Sequence, residues 1–162
     1  MRLLFAILLV SIFTVAIIYC NKYRKRLKSI ISIRESISLV NMPVITFTQG
    51  ITKLKFLLDS GSDINVICKD SLDKIHSTIA DSGNPVEISG VSGSHNSECG
   101  VIVQFTYDTL KFDALFFPVG RMDAFNDIES KTGVKIDGIL GTPFMVKYKY
   151  IIDFNKLKVE VK

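Results

Sequence analysis

The chain reads as an all-β domain with one or two short helices, behind an apolar N-terminal segment. Three observations predict this. Beyond residue 40, short β-branched and aromatic runs alternate with Gly, Asn, Asp and Ser turns. Hydrophobic content is 48% with 11 Phe, which argues against disorder in the main body. No internal repeat is visible in 162 residues, which excludes a two-lobed, duplicated fold.

Leu3 to Tyr19 carries no charged side chain. As a helix it spans roughly 26 Å, close to the hydrocarbon thickness of about 30 Å. The run is long for the apolar part of a signal peptide, and Ile17-Ile18-Tyr19-Cys20 offers no small-residue cleavage site. Residues 1–21 are therefore expected to be an uncleaved transmembrane anchor, in contact with lipid through residues 3–19. A cleaved signal peptide with an exported domain is the alternative. Lipid modification of Cys20 is disfavoured by the bulky Tyr19 before it. Lys22, Arg24, Lys25, Arg26 and Lys28 follow, so residues 22–39 read as a basic juxtamembrane linker, its amphipathic part 29–39 as linker or as a short helix near the membrane surface, and the positive-inside rule places the domain at 40–162 on the cytoplasmic side.

The formal charge of +4 divides unevenly. Six of the 20 basic residues lie at or before Lys28 and all 16 acidic residues beyond it, leaving 14 against 16, a net −2, from residue 29 onward. Nucleic acid is not an expected partner of such a domain. Cys20, Cys68 and Cys99 have no metal-ligand spacing, and His76 and His95 are isolated, so no metal or other cofactor is expected.

Val44 to Thr48 and Lys53 to Leu58 predict a hairpin around Gln49-Gly50. Ile64 to Cys68 is the next strand, and Ser71 is placed to cap a short helix. Pro85 to Ser94 enters a Gly/Ser-rich tip, and Val101 to Tyr107 returns from it. Leu110 to Val119 continues the β pattern, and Asp123 to Thr132 suits a helical turn or two. Ile136 to Met145 follows, and Tyr150 to Val161 closes as a hairpin turning near Asn155.

One turn stands out. Phe56-Leu57-Leu58-Asp59-Ser60-Gly61-Ser62-Asp63 puts a carboxylate, a hydroxyl and a glycine between two apolar runs. The chain has one turn of this kind. Chemistry that needs two such carboxylates needs a second copy of the chain.

Three elements in this order, Leu57 to Asp63, the Gly-rich Ile88 to Ser94, and Ile139-Leu140-Gly141, make the chain resemble the retropepsin-like aspartyl proteases over positions 40–161. The closing segment from Ile151 to Val159 is similar to the cellular and bacterial branch. The resemblance implies a single-lobed, closed barrel-like acid-protease fold with a flap hairpin. It further implies a homodimeric endopeptidase acting on peptide or protein substrates, with Asp59 from each copy activating one water. Two carboxylates in close contact cannot both ionise readily, so the pair shares a proton. In this reading Ser60 and Gly61 support the catalytic loop, with Ile139, Leu140 and Gly141 beneath it. Ser62, Asp63, Ser89, Gly90, Val91, Ser92 and Gly93 face substrate or form the flap. For Asp63 a local capping role is equally open. Asp137-Gly138 reads as a plain turn, and Asp153 belongs to the closing hairpin. The functional alternative is a catalytically silent module of the same fold that binds peptides or dimerises at the membrane.

Overall fold

A computed structural model describes residues 14–15, 29–80, 86–90, 93–97 and 99–161. The expected anchor at 1–21 lies outside the described residues except for Thr14 and Val15, which are helical, as does the basic run 22–28. Among the described residues, no helix is long and apolar enough to cross a membrane.

The folded unit begins earlier than the sequence reading placed it. Strand β1 (Ser29–Ser32) and helix α1 (Arg34–Val40) occupy the stretch expected to be linker. The cause is burial: Ile31 and Ile33 are 2% and 1% exposed and join the main core. Asn41 ends α1 in the left-handed region at φ 56°, donating its N–H to Ile37 O.

The chain continues through β2 (Val44–Gln49), β3 (Thr52–Leu58), β4 (Val66–Cys68), a 3₁₀ helix (Lys69–Lys74) and β5 (Thr78–Ala80). The hairpin β6 (Val86–Gly90) and β7 (Gly93–Ser97) comes next, then β8 (Gly100–Val103), β9 (Thr106–Tyr107), β10 (Leu110–Lys111) and β11 (Leu115–Gly120). Helix α2 (Asp123–Thr132), β12 (Gly138–Leu140), α3 (Thr142–Lys147), β13 (Ile151–Asp153) and β14 (Lys158–Val161) complete it. The β2–β3 turn falls at Gly50, whose φ of 59° is the left-handed conformation that glycine adopts at little cost.

Nine strands form one sheet in the order β10-β9-β2-β3-β12-β4-β11-β8-β5. The fold is thus all-β with short helices, but the sheet has two edges instead of the expected closed barrel. Its outermost strands, β10 and β5, are only 2 and 3 residues long, and each pairs with a single neighbour. A smaller sheet, β1-β14-β13, joins the first and last strands of the described domain, and β6-β7 stand as a separate pair.

Alternation builds the core. In β3, Leu54, Phe56 and Leu58 point inward between Lys53, Lys55 and Leu57. Phe47, Phe56, Phe105, Phe112, Phe117 and Phe144 are all fully buried and touch as a ring cluster, with Phe47 edge-on to Phe112 at 4.9 Å and Phe56 edge-on to Phe105 at 5.0 Å. Such pairs add about 0.5–1.5 kcal/mol each beyond the area they bury. Phe144 carries α3 into this cluster, 5.9 Å from Phe47 and 5.6 Å from Phe112.

Because β1 closes the smaller sheet, truncation should be sharply position-dependent. A chain starting at residue 29 should melt close to the full protein. One starting at residue 35 loses two buried isoleucines and should melt lower by many degrees, or fail to fold, in a calorimetric or circular-dichroism melt.

Candidate active site

The site is built around one strand inserted between two others. β12 lies parallel to β3, with Gly138 opposite Phe56 and Leu140 opposite Leu58, and antiparallel to β4, with Gly138 opposite Ile67. β3 and β4 are successive strands, yet β12 separates them. The connecting loop must cross over its end, and this loop carries Asp59.

Each part of the loop is tied. Asp59 N–H donates to Leu140 O at 3.1 Å, and Ser62 N–H donates to Asp59 O at 3.2 Å. Gly61 N–H donates to Asp59 Oδ1 at 2.9 Å, an Asx-type turn that orients the carboxylate. Thr142, at the start of α3, reaches back twice: its N–H donates to Ser62 O at 2.8 Å and its hydroxyl to Ser60 O at 3.0 Å. Gly141 N–H donates to Asn65 Oδ1 at 3.0 Å, and Ser62 Oγ donates to Ile64 O at 2.7 Å. A Cβ on Gly141 would sit 2.3 Å from Ile64 O and 2.7 Å from Ser62 O, so the loop can close only over a residue without a side chain.

The structure thereby joins Asp59, Ser60, Gly61 and Ser62 to Ile139, Leu140 and Gly141. Asp59 is partly exposed, and Ser60 and Gly61 are exposed. Leu140 is fully buried in the main core, while Ile139 packs on a second cluster of Val44, Cys68, Phe125 and Ile136. Asp63 is exposed and makes no ion pair among the described residues. Ser89 stands opposite Ser94, and Gly90 opposite Gly93, in the β6–β7 hairpin. Val91 and Ser92 lie outside the described residues. At the hairpin's base, buried Ser97 accepts Val119 N–H at 3.1 Å, which fixes β7 to β11. Asp153 stays in the closing hairpin, accepting Lys156 N–H at 2.9 Å.

Two readings need correction. Asp137 is no plain turn residue: it is 5% exposed, with its carboxylate accepting Lys55 N–H at 2.8 Å and Ser71 Oγ–H at 2.7 Å. Ser71 caps nothing. It lies inside the 3₁₀ helix, fully buried, with its hydroxyl turned to Asp137. Asn65 and Thr142 were also missed, although a polar residue just after each motif was a usable signal. Cys68 closes this region. Burial, then the neighbouring Asp137 carboxylate, pushes its thiol from an ordinary value near 9 up to about 12.

The model of the aspartyl protease family matches residues 45–144. The chain belongs to the aspartyl protease family. That match takes in the Asp59 loop, the β6–β7 hairpin and the Ile139-Leu140-Gly141 stretch. A solved retropepsin-like aspartic protease from Rickettsia conorii is similar at 15% identity and a TM-score of 0.46, over 83% of this chain and 88% of that one. No curated protein matches the chain.

Three outcomes follow for this region. Gly141→Ala should destabilise the fold by about 1–3 kcal/mol, the range for forcing atoms into a packed site, and should displace the Asp59 loop; chemical denaturation measures the first. Iodoacetamide at pH 8 should label exposed Cys99 and spare Cys68 in the native chain. The raised thiol pKa favours the folded state fully below about pH 9, and this contribution is lost as pH climbs towards 12. Replacing Cys68 with Ala should flatten the stability profile in that window.

Proposed function

We propose that the chain is an aspartic endopeptidase that works as a membrane-anchored homodimer. The observation that carries this reading is the single, partly exposed Asp59 on a hydrogen-bonded loop clamped from below by β12 and Thr142. Family membership supports the hydrolase class. One acid per chain supports the dimer, because the chemistry needs two.

In the pair, the two Asp59 carboxylates approach about a two-fold axis and share one proton. The ionised partner takes a proton from water as that water attacks the peptide carbonyl. The protonated partner donates to the carbonyl oxygen, giving a neutral tetrahedral diol. Collapse of the diol returns a proton to the leaving nitrogen and restores the shared-proton pair. The Gly61 N–H on Oδ1 leaves each carboxylate oriented before substrate arrives, so little reorganisation remains for the reaction itself. The β6–β7 hairpin is suited to lie along an extended peptide and offer it backbone hydrogen bonds. The charge-free run from Leu3 to Tyr19, followed by five basic residues, supports an anchor with the domain on the cytoplasmic side.

The test uses the full chain in detergent with an unfolded protein substrate at mildly acidic pH. Cleavage is expected from the wild type, and Asp59→Asn should lower kcat by at least about a thousandfold. Unfolding and refolding equal amounts of wild type and Asp59→Asn together should leave about one quarter of the activity of the same total amount of wild type refolded alone, since only wild-type pairs carry both carboxylates. Retention of half would mean that each chain acts alone. A stable dimer without cleavage at any pH would leave the silent peptide-binding module as the better account.

A further inference from the structure

Asp137 uses every polar group it has, and its four contacts join β12 to three pieces of the site's scaffold. Its N–H donates to Lys55 O at 2.7 Å in β3. Its carboxylate takes Lys55 N–H at 2.8 Å, so the side chain stands in for the strand carbonyl that would otherwise extend the β3–β12 ladder. Its own carbonyl accepts Cys68 N–H at 2.8 Å in β4. Its second carboxylate oxygen holds Ser71 Oγ–H, and Ser71 is 0% exposed, so water offers that hydroxyl no substitute.

β12 begins at the next residue and is only 3 residues long. So short a strand has few ladder bonds with which to fix its own position along its neighbours. At its far end it is held by Gly141 N–H to Asn65 and presents Leu140 O to the Asp59 amide. Gly138 adds no side-chain wedge, since a Cβ there would lie 2.3 Å from Val66 O. The near end is therefore set by Asp137.

We infer that Asp137 is a positioning residue for catalysis: its carboxylate fixes the start of β12 along β3 and against the 3₁₀ helix that follows β4, and β12 in turn fixes the backbone of Asp59. This rests on the reading of Asp59 as the catalytic carboxylate. The residue touches neither substrate nor the reacting atoms. It acts through three residues of strand.

The test compares Asp137→Ala, Asp137→Asn and Ser71→Ala with wild type, using the full chain and two readouts. The first is residue-resolved hydrogen exchange at the Asp59 amide, taken relative to Leu54 in β3. The second is kcat and KM on the unfolded protein substrate. Asp137→Ala should speed Asp59 exchange at least tenfold relative to Leu54 and lower kcat by ten- to a hundredfold with little change in KM. Asp137→Asn keeps an acceptor for Lys55 N–H and can donate to Ser71 Oγ, so it should restore both values to within a few-fold of wild type. If Asp137→Ala does not fold, Ser71→Ala, which removes one of the carboxylate's two donors, should show the same effect in smaller measure. Unchanged relative exchange at Asp59 in a folded Asp137→Ala or Ser71→Ala chain overturns the inference, as does an Asp137→Asn chain no better than Asp137→Ala. A wild type that cleaves nothing would count against the proposed activity alone, because the exchange readout is independent of turnover.

Discussion

The insertion of β12 between β3 and β4 is the constraint on which the rest of the site depends. Neighbouring strands lie about 4.8 Å apart, so a chain that leaves β3 and re-enters at β4 must travel roughly twice that distance across the end of the intruding strand. The loop 59–65 makes that crossing, and a carboxylate at its first residue is lifted to the sheet's end. The same crowding explains the glycines. Gly138 and Gly141 bracket a strand with backbone close on both sides, where a methyl group would strike a carbonyl oxygen.

Two kinds of force divide the labour. The Phe cluster and Leu140 hold the sheet by burial and ring packing, and α3 is fastened to the same cluster by Phe144. The loop itself buries little, with Ser60 and Gly61 exposed. Its shape comes from individual hydrogen bonds, each worth roughly 0.5–1.5 kcal/mol net. A rigid floor under a directional, polar loop is what a reaction needs when charge moves and geometry must not.

Elements with local signals were legible in the sequence. The β2–β3 hairpin, the turn at Asp59, helix α2 and the closing hairpin each follow from a few adjacent residues: alternation, a Gly turn, an apolar face or an Asp-Ser-Gly string. The failures share a different cause. The stretch 29–39 read as linker or a short membrane-surface helix because its Ser-rich sequence is weakly patterned, and only pairing with the distant β14 makes β1 a strand of the domain. Asp137 looked like half of an Asp-Gly turn because its partners, Lys55 and Ser71, stand 82 and 66 positions away. Ser71 looked like a cap for the same reason. No short-range pattern encodes a buried side chain completing another strand's ladder. The expected barrel failed at its edges, where β10 and β5 do not pair with each other, a long-range pairing that no local pattern records.

The pairing of β1 with β14 also has a mechanical meaning. Ser29 sits opposite Val161 and Ser32 opposite Lys158, so the strand that leads into the domain is stitched to it along its length. A pull on residue 29 relative to the core must slide several hydrogen bonds at once, as in shear. A pull of residue 29 against residue 161 peels the same bonds one after another. The attachment resists load applied to the body of the domain, and its weak direction is the one that separates the two ends.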